Sequence, residues 1–160
     1  VTCRAIVKHK KFKKIKFDNK KRTFHLEYTS GLKVECPYSA LRIRGKVIEA
    51  APDAEVGRHS FYFILENGKK DFVPFDQPLH IAQHPEYVKQ QTLYEVTKQL
   101  NEFIEREKVS KRELARRLGT SMSQLSRLLD TTNYKKELSR LIELAAMLNY
   151  EFKWRFKKAA

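Results

Sequence analysis

The stretch between Ser110 and Asp130 restricts the fold more than any other part of the chain. It carries Ala115, then Gly119, then Leu125, with three and five residues between them. Each position has a steric reason. Two short helices that cross steeply need a small side chain at their contact, and Ala115 supplies it. The chain must then turn within a few residues, and a glycine at position 119 adopts the left-handed conformation that ends a helix. Leu125 returns an apolar side chain to the first helix beside Leu114 and Leu118, and Leu128 and Leu129 extend that stripe. Both helices carry start signals. Ser110-Lys-Arg-Glu113 reads as a capping box, with Ser110 as N-cap and Glu113 reaching back, and Ser121-Met-Ser-Gln124 reads as a second. Caps, glycine and apolar phase agree on helices over 111–118 and 122–129, and agreement across levels outweighs a single motif match.

The surrounding residues also follow a helical period. Leu93, Val96, Leu100, Phe103 and Ile104 predict an amphipathic helix over 92–107. Another is expected over 135–148, turning Leu138, Leu141, Ile142, Ala145 and Leu148 inward. From Tyr150 to Lys157 aromatic and charged residues alternate, which predicts a half-buried strand. Lys153 and Arg155 fall on the face opposite the aromatics. That favours packing, on the N-terminal sheet or on a second copy, over stacking on single-stranded bases.

Residues 23–79 read as β-rich and contain an internal repeat. At an offset of 37, Phe24 superposes on Phe61, Leu26 on Phe63, Tyr28 on Leu65 and Gly31 on Gly68. Lys33, Pro37 and Tyr38 then meet Lys70, Pro74 and Phe75. Each unit is a strand, a tight turn at Ser30-Gly31 or Asn67-Gly68, and a second strand. Phe24, Leu26 and Tyr28 share one face of their strand, as do Phe61, Phe63 and Leu65. Two hairpins in one small sheet are expected, with 45–60 partly loop. Residues 1–22 read as a basic arm, in which Ile15 and Phe17 begin a strand at most. Residues 80–91 read as a linker, since Pro78 and Pro85 interrupt any helix there, and 92–160 as the helical domain with its terminal strand. The fold class expected is α+β.

Charge separates these segments. The formal net charge is +14, of which residues 1–22 hold +9 and residues 92–160 hold +6, leaving the middle near neutral. Basic ends attract phosphate backbones and anionic surfaces. A hydrophobic content of 41% argues against wholesale disorder. No apolar run spans a bilayer, and the N-terminus lacks the apolar stretch of a secretory signal, so a cytoplasmic location is expected. Cys3 and Cys36 form no CxxC pair, and Cys36 reads as a buried strand residue. His80 and His84 stand four apart, but Pro85 follows and no third ligand completes a metal set. No phosphate-binding loop, dinucleotide fingerprint or nucleophile elbow occurs. No enzyme, metal or cofactor is expected.

The sequence from Ser110 through Arg116-Arg-Leu-Gly-Thr-Ser-Met-Ser-Gln-Leu-Ser-Arg127 to Asp130 resembles the motif of phage-repressor-like (Xre/Cro/C1) regulators. Its Ser-Arg-Leu-Leu-Asp ending is similar to antitoxins of the HicB and HigA kinds. The resemblance covers residues 92–149. It implies double-stranded DNA as the partner, with the second helix of the pair in the major groove. By position it implies base contacts from Met122, Ser123, Gln124, Ser126 and Arg127, Gln suiting adenine and Arg guanine. It implies phosphate contacts from Lys111, and Arg112, Arg116 and Arg117 lie off the apolar stripe and available to the backbone. Tyr134, Lys135 and Lys136 follow the reading helix and are placed to grip the backbone beyond it. Thr120 and Met122 depart from the family pattern, which has an apolar and a polar residue there.

A sequence-specific transcriptional regulator is therefore expected, of an antitoxin-type repressor kind. It would act as a homodimer, with a toxin, ligand or second subunit held at the β domain. The competing readings are an interaction module whose helix-turn-helix no longer reads DNA, and an RNA-binding protein that uses the basic arm.

Overall fold

The computed structural model describes residues 8–158. The fold is α+β, with antiparallel strands first and helices after. The chain divides into two compact units between Lys89 and Gln90.

In the first unit, β1 (Phe12–Asp18), β2 (Thr23–Tyr28) and β3 (Lys33–Pro37) form one antiparallel sheet in that order. β4 (Val47–Pro52), β5 (Ser60–Leu65) and β6 (Lys70–Pro74) form a second. The two hairpins of the repeat thus belong to separate sheets and not to one. Each has gained a preceding strand, and by register Phe12 of β1 corresponds to Val47 of β4, an offset of 35, so these strands fall outside the 37-residue offset. The backbone repeats faithfully beyond the hairpins. The Tyr38 N–H donates to the Arg22 carbonyl and the Phe75 N–H to the His59 carbonyl, both at 2.9 Å.

β1 takes up residues 12–18 of the expected basic arm. Its register shifts between Phe12 and Lys14, and β4 shifts at the equivalent place, between Val47 and Glu49. The bulge turns both Phe12 and Ile15 inward although they stand three residues apart. Strict alternation is therefore absent among the lysines, which hides the strand from a period-two reading. Residues 1–7, Cys3 among them, lie outside the described residues.

The inner faces of the two sheets share one core. The Phe61 ring packs edge-on against Phe12 and Phe24, with ring centres 5.2 Å apart in each case. Cys36 is fully buried, and burial pushes its thiol up to about 12. His9, also buried, holds the start of the described chain. Its Nδ1 lies 2.6 Å from the Ser30 hydroxyl and its Nε2 3.2 Å from a Glu86 carboxylate oxygen.

The expected linker is helical. α1 (Asp76–Ile81) is followed by α2 (Pro85–Arg106), and both Leu79 and Tyr87 are buried in the first unit's core. Pro85 opens α2 rather than breaking it, because the N–H that proline lacks has no intrahelical partner at that position. His80 lies in α1 and His84 between the helices, so they do not share a helix face.

The second unit holds most of α2 with α3 (Lys111–Leu118), α4 (Met122–Leu128) and α5 (Leu138–Met147). Leu100, Leu114, Leu125, Leu141 and Leu144 are its most buried apolar side chains. α5 begins at Leu138, the first residue of its apolar period and three residues after the expected start at 135. It buries Leu144 and leaves Ile142 exposed, the reverse of the expectation for Ile142. Residues 150–158 form no strand. Alternation puts aromatics on one side, but a strand also needs a neighbour to take up its backbone N–H and C=O groups. Tyr150 instead stacks on Phe103 with ring centres 3.7 Å apart, while Trp154 and Phe156 are 70% and 91% exposed.

Candidate nucleic-acid interface

The segment from Ser110 to Lys136 builds a continuous polar surface on an apolar base. Ser110 is the N-cap of α3 and its hydroxyl accepts from the Glu113 N–H. Ser121 is the N-cap of α4 and accepts from the Gln124 N–H at 3.1 Å. Only this forward half of each capping box forms. Glu113 does not reach back; its carboxylate takes two hydrogen bonds from Arg116, at 2.9 and 2.6 Å. That contact holds the Glu113 carboxyl below its ordinary range and raises the guanidinium. Gln124 does not reach back either; its side-chain oxygen accepts from the Thr120 hydroxyl.

Between the helices, Gly119 sits at φ 67° and its N–H donates to the carbonyls of Ala115 and Arg116. Ala115 is buried where α3 meets α4, and Leu114, Leu118, Leu125 and Leu128 close the contact. With those side chains inside, the remaining residues of α4 turn outward. Met122, Ser123, Gln124, Ser126 and Arg127 are all exposed.

The C-terminal end of α4 is held by side chains from three places. Helix ends leave carbonyls without intrahelical partners, and buried ones need substitutes. The Asn133 amide donates to the Arg127 carbonyl at 3.0 Å. The Asn101 amide, on α2, donates to the Leu129 carbonyl at 2.9 Å. The Lys136 ammonium donates to the carbonyls of Leu128 and Asp130, both at 2.8 Å. Burial pushes the Lys136 amine down to about 8, against the opposing pull of Asp130. Thr132 donates twice to the Asp130 carboxylate, which lies below its ordinary range for that reason.

The residues singled out by sequence thus separate into two groups. A cleft of ≈ 260 Å³ brings Gln124, Arg127, Lys135 and Lys136 together with Asn133 and Arg140. Lys111, Arg112, Arg117 and Lys135 are exposed, and among the described residues none of the four has an ion-pair partner within 4.0 Å. Arg116 is engaged by Glu113, Lys136 closes the end of α4, and Tyr134 packs half-buried against the core of its unit. Sequence reasoning missed Asn101 and Asn133. Asn133 left a faint signal, a short polar residue just past a helix that ends without glycine. Asn101 left none, since its partner is 28 residues away.

Among the described residues there is no cluster of three side chains able to hold a metal ion, and no helix long and apolar enough to cross a membrane. Neither a curated protein nor a solved structure matches the chain. Residues 99–153, which contain α3, α4 and α5, match the family model of the Cro/C1-type HTH DNA-binding domain, and the helix-turn-helix geometry of α3 and α4 is consistent with a segment of that kind.

Proposed function

We propose that the chain is a sequence-specific regulator of transcription that binds double-stranded DNA through α4. Met122, Ser123, Gln124, Ser126 and Arg127 are assigned to the base edges. Arg127 is suited to guanine, and Gln124 to adenine through its amide and the second lone pair of its oxygen. Lys111, Arg112, Arg117 and Lys135 are assigned to phosphates. Tyr134 and Lys136 are assigned to holding the reading helix, and Arg116 to its ion pair with Glu113 on α3. The protein acts as a homodimer on an inverted repeat, since one such motif reads only a half-site. An antitoxin-type repressor fits this scheme, with the first unit free to hold a partner protein.

The observation that carries the proposal is the exposure of five α4 side chains on a helix fixed at both ends, within the segment that matches a DNA-binding family. A titration series with labelled duplexes tests the division of roles. Lys111→Ala or Arg112→Ala should weaken binding evenly across sequences and lower the salt slope by about one each. Arg127→Ala should relax preference at one base pair per half-site. An equal, sequence-blind loss in all three variants would remove the base-reading role from α4.

A further inference from the structure

The internal repeat provides a control for the surface of the first unit. Its two sheets have the same three strands, the same register and the same bulge, so every outward position of one has a counterpart in the other. In the first sheet most of these positions are charged or titratable, and of the outward lysines Lys14, Lys16 and Lys33 the counterparts in the second sheet are Glu49, Ala51 and Lys70. Lys13, His25, Glu27 and Glu35 lie outward, and Lys13 pairs with Glu27 at 3.3 Å. Their counterparts in the second sheet are Ile48, Tyr62, Ile64 and Phe72. Ile48 is 59% exposed and Phe72 51%. The fold does not require this difference, because the first sheet shows that a charged face serves the same core. An apolar patch retained on one of two equivalent faces marks a contact surface.

We infer that the outer face of the β4–β5–β6 sheet is a self-association surface whose occupant is the same face of a second copy. The argument is complementarity. Three strands present two rows, Ala51–Tyr62–Phe72 and Glu49–Ile64–Lys70, each aligned by the ladder. Turn a second copy about a two-fold axis parallel to β5, and its β4 lies over β6 of the first. Glu49 then faces Lys70 twice, and the small Ala51 faces the large Phe72 twice, while Tyr62 and Ile64 meet their own copies. The other in-plane axis sets Glu49 over Ala51 and leaves both charges without a counter-charge. Sheets stacked this way pack about 10 Å apart with strands nearly aligned. Both charges already contact Tyr62. The Tyr62 hydroxyl donates to Glu49 at 2.6 Å, and the Lys70 ammonium sits 4.2 Å from the centre of the Tyr62 ring.

This names the surface of the homodimer proposed above and rests on that dimer, not on DNA reading. The test uses the full chain without DNA, so its failure is separable from failure of the base-reading role. A face of this size belongs with the weak interfaces, so sedimentation equilibrium is run up to roughly 200 µM chain. Wild type is expected to approach twice the monomer mass. Glu49→Lys and Lys70→Glu should each weaken association by roughly tenfold or more, by setting like charges face to face. The double variant Glu49→Lys/Lys70→Glu should return to within about threefold of wild type. Both side chains are at the surface, and thermal unfolding of each variant checks that the fold persists. A wild type that stays monomeric overturns the inference. So does a dimer indifferent to either single reversal, or a double variant no better than the singles.

Discussion

The side-chain amide of Asn101 donates to the main-chain carbonyl of Leu129 across 28 residues of chain, and so ties α2 to the end of α4. Together with Lys136 and Asn133 it gives a seven-residue helix a defined C-terminus. A helix that short does not persist on its own. Its orientation is set by the packing of Leu125 and Leu128 and by these polar anchors. Asn101→Ala should therefore lower the stability of the second unit by about 1 kcal/mol, read by urea denaturation. It should weaken DNA binding without changing which bases are preferred. An altered preference would place Asn101 in the reading itself.

Lys136 gives the same anchor a pH dependence. Its folded-state value of about 8 lies below the ordinary 10.5. Between those values the unfolded chain holds more protons, so this group's contribution to stability rises with pH across the window and is lowest below it. The difference in unfolding free energy between wild type and Lys136→Met should move in favour of wild type from pH 8 to 10. A titration of the Lys136 ε-carbon by NMR should have its midpoint near 8. A midpoint above 10 contradicts the burial account.

Gly119 makes a prediction from backbone alone. A Cβ built at this position meets nothing within 4 Å, yet φ is 67°. The penalty of Gly119→Ala is therefore strain without clash, about 1–2 kcal/mol. Asn tolerates the left-handed region better, so Gly119→Asn should lie between Ala and wild type in thermal unfolding. Equal losses for Ala and Asn would point to a steric cause instead.

The two N-caps should each contribute on the usual scale. Ser110→Ala and Ser121→Ala are expected to cost about 1 kcal/mol apiece. Because Glu113 and Gln124 bond elsewhere, Glu113→Ala should affect the Arg116 contact and not the Ser110 cap. Additivity of Ser110→Ala with Glu113→Ala in denaturation checks this, and a strong coupling between them would restore the full capping box.

The helix-turn-helix was legible because its determinants are local. The bounds of α3 follow from Ser110 and Gly119, which act on their immediate neighbours. The exposed row on α4 follows from the phase of Leu125 and Leu128. What escaped detection depends on distant partners or on a broken period. β1 is hidden by its bulge, since Phe12 and Ile15 break alternation. The second sheet was missed because β4 repeats β1 at an offset two residues shorter than the hairpins do. Residues 150–157 show the converse, a perfect period without a partner strand. Lys136 read as a phosphate contact beyond the second helix of the pair because nothing in its neighbours announces that the chain folds it back onto Leu128 and Asp130.

The central claim is that α4 reads bases, and selection of bound duplexes from a random library at moderate salt tests it most directly. Wild type should enrich an inverted repeat with half-site centres about one helical turn apart, and Arg127→Ala should lose the preference at its base pair while keeping the spacing. A library that stays unenriched, with binding that only fades as salt rises, would contradict the account and leave the charge as a non-specific attraction.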